Sequence, residues 1–265
     1  MTDLDFIPAR ARRFRTWRSV LALMLREMST TYGRSPGGYV WAFIEPIASI
    51  AVLSAAFELL FRAPPLGTSF PLFFATGLLP FTLAAKMSVN VAKSMRFSKA
   101  LLEYPGVTWV DAVIARGALI LITELMTGCI IIVGMFWILD IKVILSMDHI
   151  FTSVGMAVLL GMGLGTLNCY FFTIAPIYER IYAIITRPLL IISGVMFPYE
   201  AIPPSVQTYL WYNPFVHVVS EMREGFYVTY DAQYVSSTYV FVVSLSALAL
   251  GCLLLKQHHK ALMNI

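Results

Sequence analysis

Six stretches of roughly twenty residues each, nearly free of charge, dominate this 265-residue chain. That length is what an α-helix needs to cross a hydrocarbon layer about 30 Å thick. Inside such a layer every backbone amide must be satisfied internally, so stretches of this kind are helices or parts of a closed barrel. Only 13% of the residues are charged, against about 25% in a soluble domain. The fold class is therefore an all-α polytopic membrane protein. The spans are read at about Tyr39–Phe61, Phe70–Val91, Val113–Leu139, Ile150–Ile174, Ile181–Phe197 and Val235–Leu255.

Most of the basic residues sit between these stretches. Arg10, Arg12, Arg13, Arg15, Arg18, Arg26 and Arg34 precede the first span. With the N-terminus, the segment after span two, the link near Pro176–Arg187 and the C-terminal tail placed inside, those pieces hold 14 of the 19 Lys and Arg, and the outer segments hold Arg62, Lys142 and Arg223. The positive-inside rule then puts both termini in the cytoplasm. The basic N-terminus answers to this rule and to anionic lipid head groups rather than to nucleic acid, since no recognition module accompanies it. Within it, Trp17, Val20, Leu21, Met24, Leu25 and Met28 form one helical stripe, with Arg15, Arg18 and Arg26 elsewhere on the helix. Such a helix lies in the membrane interface or docks on a partner protein. Between spans five and six, residues 198–234 are too broken by proline and charge to cross, and a re-entrant or interfacial helical segment is expected.

The sequence carries no G-x-x-x-x-G-K-[ST] phosphate loop and no HExxH, so neither ATP hydrolysis nor zinc-protease chemistry is expected of the chain itself. Cys129, Cys169 and Cys252 are too dispersed for a metal or redox motif. Glu45, Glu58, Lys86, Arg116 and Glu124 fall at membrane depth, where each needs a partner, a cavity or an interface. Glu45 and Glu124 are expected to be neutral and hydrogen-bonded, or paired with Lys86 or Arg116. Each such residue either packs helices or lines a substrate path. Tyr39, Trp41, Trp109, Trp137, Tyr209, Trp211 and Tyr212 form an aromatic belt or stack on a sugar chain. Ala157, Gly161 and Gly165 make a small-xxx-small stripe for close helix packing. In Asn213-Pro214-Phe-Val-His217-Val-Val-Ser-Glu221-Met-Arg223, Asn caps a helix that Pro starts, placing His217 and Glu221 on one face at i, i+4. A hydrogen-bonded pair is expected there rather than a metal site.

An ordered set of segments resembles the ABC-2 type permeases, specifically the branch that exports capsular polysaccharide. The segments are Arg34-Ser-Pro-Gly-Gly-Tyr-Val-Trp41 with Glu45-Pro46, Leu101-Leu-Glu-Tyr-Pro105 with Asp111 and Ala115-Arg116, Arg187-Pro188, Ser193-Gly-Val-Met-Phe197, Ile202-Pro203, and Asn213-Pro214-x-x-His217-x-x-x-Glu221-x-Arg223. The resemblance implies a cytoplasmic N-terminus with an interfacial helix (1–37), a transmembrane domain (38–256), and a cytoplasmic tail (257–265). It implies a homodimer in the bacterial inner membrane, served by two copies of a cytoplasmic ATPase that bind the ATP and magnesium. This chain itself is expected to hold no cofactor. Further implied partners are membrane lipids, a periplasmic co-polymerase and outer-membrane export proteins. The implied cargo is a lipid-linked acidic polysaccharide; O-antigen, teichoic acid or small drug-like substrates are the alternatives. A coupling helix at about 94–105 would dock on the ATPase through Met95, Arg96, Phe97, Lys99, Leu101, Leu102, Glu103 and Tyr104. Tyr39, Trp41, Phe43, Glu45, Arg62, Lys86, Tyr178 and Arg187 are candidates for the substrate path, and Asn213, Pro214, His217, Glu221 and Arg223 for the re-entrant segment. From a different class, a membrane-embedded enzyme acting on lipid-linked sugars would gather Glu45, Lys86, His217 and Glu221 in one cleft.

Overall fold

The computed structural model describes residues 15–31, 38–102 and 107–263. Among them it contains helices and connections only: α1 (Arg15–Thr31), α2 (Gly38–Leu60), α3 (Phe70–Ala92), α4 (Ser94–Leu102), α5 (Trp109–Ile138), α6 (Met147–Ile174), α7 (Pro176–Ile192), α8 (Pro204–Leu210), α9 (Pro214–Phe226) and α10 (Ser237–Met263). Among the described residues, five stretches are long and apolar enough to cross a membrane: Val40–Leu60, Phe70–Leu102, Trp109–Ile138, Met147–Ile174 and Ser237–His259. The expected fifth span, Ile181–Phe197, takes a different course. Its helix begins at Pro176, a residue suited to a first turn because its missing N–H costs nothing there, and ends at Ile192. Gly194 then adopts φ +81, a left-handed conformation that suits glycine and halts the helix before Phe197.

The core is a packed set of α3, α6 and α10, with α9 inserted beside α3 and α6. Phe73, Phe74, Met87, Val91, Met156, Leu160, Val218 and Val240 are all buried there. The small residues of α6 permit the approach. A Cβ on Gly161 would stand 2.7 Å from Met87 Cβ and 2.9 Å from the Ala84 carbonyl oxygen, and one on Gly165 would stand 2.7 Å from Val91 Cβ. Across α10, a Cβ on Gly251 would meet the Leu167 amide at 2.6 Å. This agrees with the expected packing role of the stripe.

The bundle has two distinct ends. At one, Arg116 of α5 reaches the Lys93 carbonyl, Lys93 and Arg96 bond to Glu179 at the start of α7, and the rings of Tyr170 (α6) and His258 (α10) lie 5.3 Å apart. At the other, Ser146 N–H donates to the Gly225 carbonyl (2.9 Å), Trp211 Nε1–H to the Tyr234 carbonyl (3.0 Å), and Tyr239 O–H to the Tyr212 carbonyl (2.8 Å). α6 and α10 both run from the α9 end to the α4 end, so the chain returns between them. α7 makes that return, bonding to Ser88 through Tyr182 (2.9 Å) and leading to Val195, whose carbonyl accepts from Arg223 near the α9 end.

Replacing Gly161 by valine should destabilise the bundle by about 1–3 kcal/mol, the usual cost of overfilling a packed interior. Gly155→Ala, with nothing near its would-be Cβ, should leave stability unchanged. Melting of the detergent-solubilised variants measures both.

Candidate functional site

A polar cavity of about 510 Å³ opens at membrane depth among α1, α2, α3 and α5, lined by Trp41, Glu45, Lys86, Asn90, Glu124 and Glu27, among others. Lys86 Nζ donates to Glu124 Oε1 at 3.1 Å and lies 3.3 Å from Glu45 Oε2, while Thr82 O–H reaches Glu124 Oε2 at 3.5 Å. Of the partners open to Glu45 and Glu124, the fold selects Lys86 for both. Glu124 is 9% exposed and Glu45 67%, so one carboxylate is fixed inside and the other borders open space.

The cavity's floor is a second ion pair. Arg116 Nε lies 2.7 Å from Glu27 Oε1, both side chains being 8% exposed, and the Arg116 guanidinium stacks 4.4 Å from the Phe97 ring centroid. Burial pushes the Glu27 carboxyl above its usual value, against the opposing pull of Arg116 and Arg26. Sequence reasoning does not single out Glu27, although it stands on α1 in line with Val20 and Leu23. Those two residues pack on Ala115 of α5, with Met24 and Leu101 beside them, while Trp17, Leu21 and Leu25 remain exposed. The apolar stripe is thus divided between the chain's own α5 and the surroundings.

α4 occupies Ser94–Leu102. Met95 and Leu102 are buried in the main core, Leu101 packs near α1, and Phe97 lies beneath Arg116 with Arg26 5.9 Å from its ring. These apolar side chains are therefore spent largely within the chain, and the outward face carries Arg96, Lys99 and Ala100. Glu103 and Tyr104 lie outside the described residues, as do Arg10, Arg12, Arg13 and Arg34. Arg96 bonds to Glu179 Oε2 at 2.8 Å and to the Phe172 carbonyl, and Lys93 bonds to Glu179 Oε1 at 3.0 Å. Burial alone would raise the Glu179 carboxyl, but the hydrogen bonds and charges of Lys93 and Arg96 outweigh it and hold it below its usual value. This clamp is complete at neutral pH and weakens as pH falls through the carboxylate range.

Of the path candidates, Trp41, Glu45 and Lys86 meet at the cavity. Phe43 is half-buried on α2, and the Tyr39 side chain lies outside what is described. Arg62 lines a separate cavity of about 1090 Å³ at the α9 end, with Glu58, Asp140, Lys142 and Tyr227. Tyr178 packs between Phe171 and Phe172 and donates to Asn168 Oδ1. Arg187 is exposed on α7.

Asn213 caps α9 by accepting from the Phe215 N–H (3.1 Å), and Pro214 opens the helix. The expected His217–Glu221 hydrogen bond is not formed. His217 Nδ1 accepts from Ser236 N–H (3.2 Å), so Nε2 carries the proton and donates to the Trp211 carbonyl at 2.8 Å. Glu221 turns instead to His149 of α6, at 3.0 Å. Arg223 is fully buried, bonded to the Val195 carbonyl and 4.3 Å from the Phe73 ring centroid.

A bundle of membrane-capable helices with an ion-bridged polar cavity at span depth belongs to the class of multi-pass membrane proteins. The sequence profile of the ABC-2 type transporter family matches residues 18–227, and the chain belongs to that family. It is 28% identical over 246 residues to the polysialic acid transport protein KpsM of Escherichia coli, covering 93% of this chain and 95% of that one. It is 26% identical over 245 residues to the capsule polysaccharide export inner-membrane protein CtrC of Neisseria meningitidis serogroup B, and 23% identical over 245 residues to BexB, of the same description, from Haemophilus influenzae; each match covers 92% of both chains.

Removing the Lys86 charge strands Glu124 in a buried position. A fully buried pair broken this way costs about 3–5 kcal/mol, and the partial exposure of Lys86 lowers the expectation for Lys86→Met to about 2–3 kcal/mol. Lys86→Arg should recover most of it, and the melting temperatures of the solubilised variants rank the three proteins.

Proposed function

We propose that the chain is the permease subunit of an ATP-driven exporter that carries a lipid-linked acidic capsular polysaccharide across the bacterial inner membrane. The observation that carries this reading is the near end-to-end match to capsule export proteins, together with family membership. Absence of a phosphate loop from the sequence is consistent with ATP hydrolysis by a separate subunit.

In this reading α7 is a sixth crossing and both termini are cytoplasmic, which matches the return that α7 makes between α6 and α10. α1 lies at the interface with Trp17, Leu21 and Leu25 in lipid, and residues 198–234 form a re-entrant segment on the outer side. Two copies pair to enclose the path. No residue of α7 is buried, yet the helix exposes Arg187 beside Ile184, Ile185 and Ile191. A charge on such a face is costly against hydrocarbon, so the face is better turned to a second copy and a hydrated path. The same holds for Glu45 on α2.

The mechanism follows from how α4 is tied. Two ATPases dock on the exposed Arg96, Lys99 and Ala100 face with the half-exposed Leu101 and adjoining Glu103 and Tyr104. Their closure displaces α4, and the Lys93–Glu179–Arg96 clamp passes the displacement to α7, one wall of the path. An elongated anionic glycan advances stepwise past Trp41, which offers a stacking surface, and Lys86, whose charge is shared with two carboxylates and so attracts without trapping. The rival enzyme reading fits less well. His217 is buried with both ring nitrogens used, and neither it nor Glu221 lines the cavity of Glu45 and Lys86.

Glu179→Ala should retain ATPase association in pull-down but reduce glycan export at least tenfold in proteoliposomes containing the chain, its ATPase and labelled glycan. Glycan turnover by the chain without any ATPase would contradict the transport reading, and full export by Glu179→Ala would contradict the clamp.

A further inference from the structure

At the α9 end, three side chains converge that none of the preceding functions uses. His149, in the first turn of α6, points Nδ1 at Glu221 Oε1 (3.0 Å) and Glu224 Oε2 (3.3 Å). The three ligand atoms all lie within 4.8 Å of one another. A tetrahedral zinc-type ion, with metal–ligand bonds of about 2.0–2.2 Å, sets its ligand atoms roughly 3.3 Å apart. The two nitrogen–oxygen separations are close to that spacing, and the two oxygens lie within 4.8 Å of each other.

Charge makes the cluster unusual. Glu221 and Glu224 are 9% and 14% exposed. Among the described residues no lysine or arginine stands within ion-pair distance of either. Arg223, between them in sequence, points away to the Val195 carbonyl and the Phe73 ring. Two neighbouring buried carboxylates repel, and one imidazole proton serves only one of them fully. A dication satisfies both at once.

The surroundings hold the groups in place independently of any ion. Glu224 Oε1 accepts the Ala232 N–H at 2.6 Å, which leaves Oε2 directed at His149. Ser146 N–H bonds to the Gly225 carbonyl and Ser153 O–H to the Val218 carbonyl (2.7 Å), fixing α6 against α9 on both sides of the cluster. On the far side of the imidazole, Nε2 lies 3.7 Å from Asp148 Oδ2. That is beyond hydrogen-bond distance and Asp148 is 80% exposed, so this side of the ring faces solvent.

We propose that His149, Glu221 and Glu224 bind one zinc-type divalent cation. Such an ion pins α9 to the start of α6. It leaves an open coordination position on the exposed side of His149, which is 39% exposed. The site would regulate the outer-end segment that must move when the path opens. That regulatory role rests on the transport reading, whereas binding of the ion does not, since it is measured without cargo or ATPase.

The test uses the full chain in detergent, without an affinity tag, with His258→Ala and His259→Ala introduced to remove the other histidine pair. After chelator treatment it is titrated with Zn²⁺ by calorimetry and with Co²⁺ by absorption spectroscopy. One Zn²⁺ per chain is expected, with a tetrahedral or five-coordinate Co²⁺ spectrum. His149→Asn and Glu224→Gln should each weaken binding well over tenfold. No Zn²⁺ binding by the parent chain, or unchanged binding in both ligand variants, would overturn the assignment. The parent titration decides even where a variant folds poorly.

Discussion

A charge at membrane depth must find its opposite within the protein, and much of this architecture depends on how Lys86 meets that demand. It draws Glu45 of α2 and Glu124 of α5 onto α3. α2 exposes Val40, Ile44, Ile47, Val52, Leu59 and Leu60 but buries Ile50 and Phe57, the latter against Phe74 of α3, so its ionic tie to α3 adds to a narrow apolar contact. Arg116 and Glu27 act similarly, bringing α1 onto α5 beneath the same cavity. Buried ion pairs of this kind stabilise little relative to well-packed apolar groups, but breaking one is expensive. Their value here lies in fixing which helices meet while leaving a polar space between them.

The two ends divide the remaining work. At the α4 end, Glu179 couples a short cationic helix to α7 through paired hydrogen bonds. At the α9 end, a deeply buried helix is capped by Asn213, anchored by His217 to Trp211 and Ser236, and joined to α6 by His149. Between them, α3, α6 and α10 form a tightly packed frame made possible by Gly161, Gly165 and Gly251. A rigid frame flanked by ionically tied helices is the arrangement in which movement at one end can reach the other without unpacking the core.

The five membrane-capable stretches are legible in hydropathy, because charge is so costly in hydrocarbon that long uncharged runs stand out. The α6 glycines are equally legible, since small residues four apart have few other uses. Legibility ends where periodicity says that a helix has an apolar face without saying what covers it. Met95 and Leu102 look available to a partner in sequence, yet the fold takes them into its own core. α7 starts and ends earlier than its hydropathy suggests because Pro176 and Gly194 set its bounds, a signal present in the sequence but weaker than the apolar run through Phe197. Glu27 has a local signal, sharing the register of Val20 and Leu23. The junction of His149 with Glu221 and Glu224 has none, because it joins helices far apart in the chain, His149 and Glu221 being 72 positions from one another. The i, i+4 spacing of His217 and Glu221 points instead to a different pairing.

The central claim is that glycan passes the cavity bordered by Lys86. A photoreactive amino acid at Asn90, in the wall of that cavity, tests it most directly against a control at the exposed Ile138. During ATP-driven export of labelled glycan, illumination should give a protein–glycan adduct at position 90 that depends on ATP, with little at 138. No adduct at 90, or equal adducts at both positions, would contradict the account.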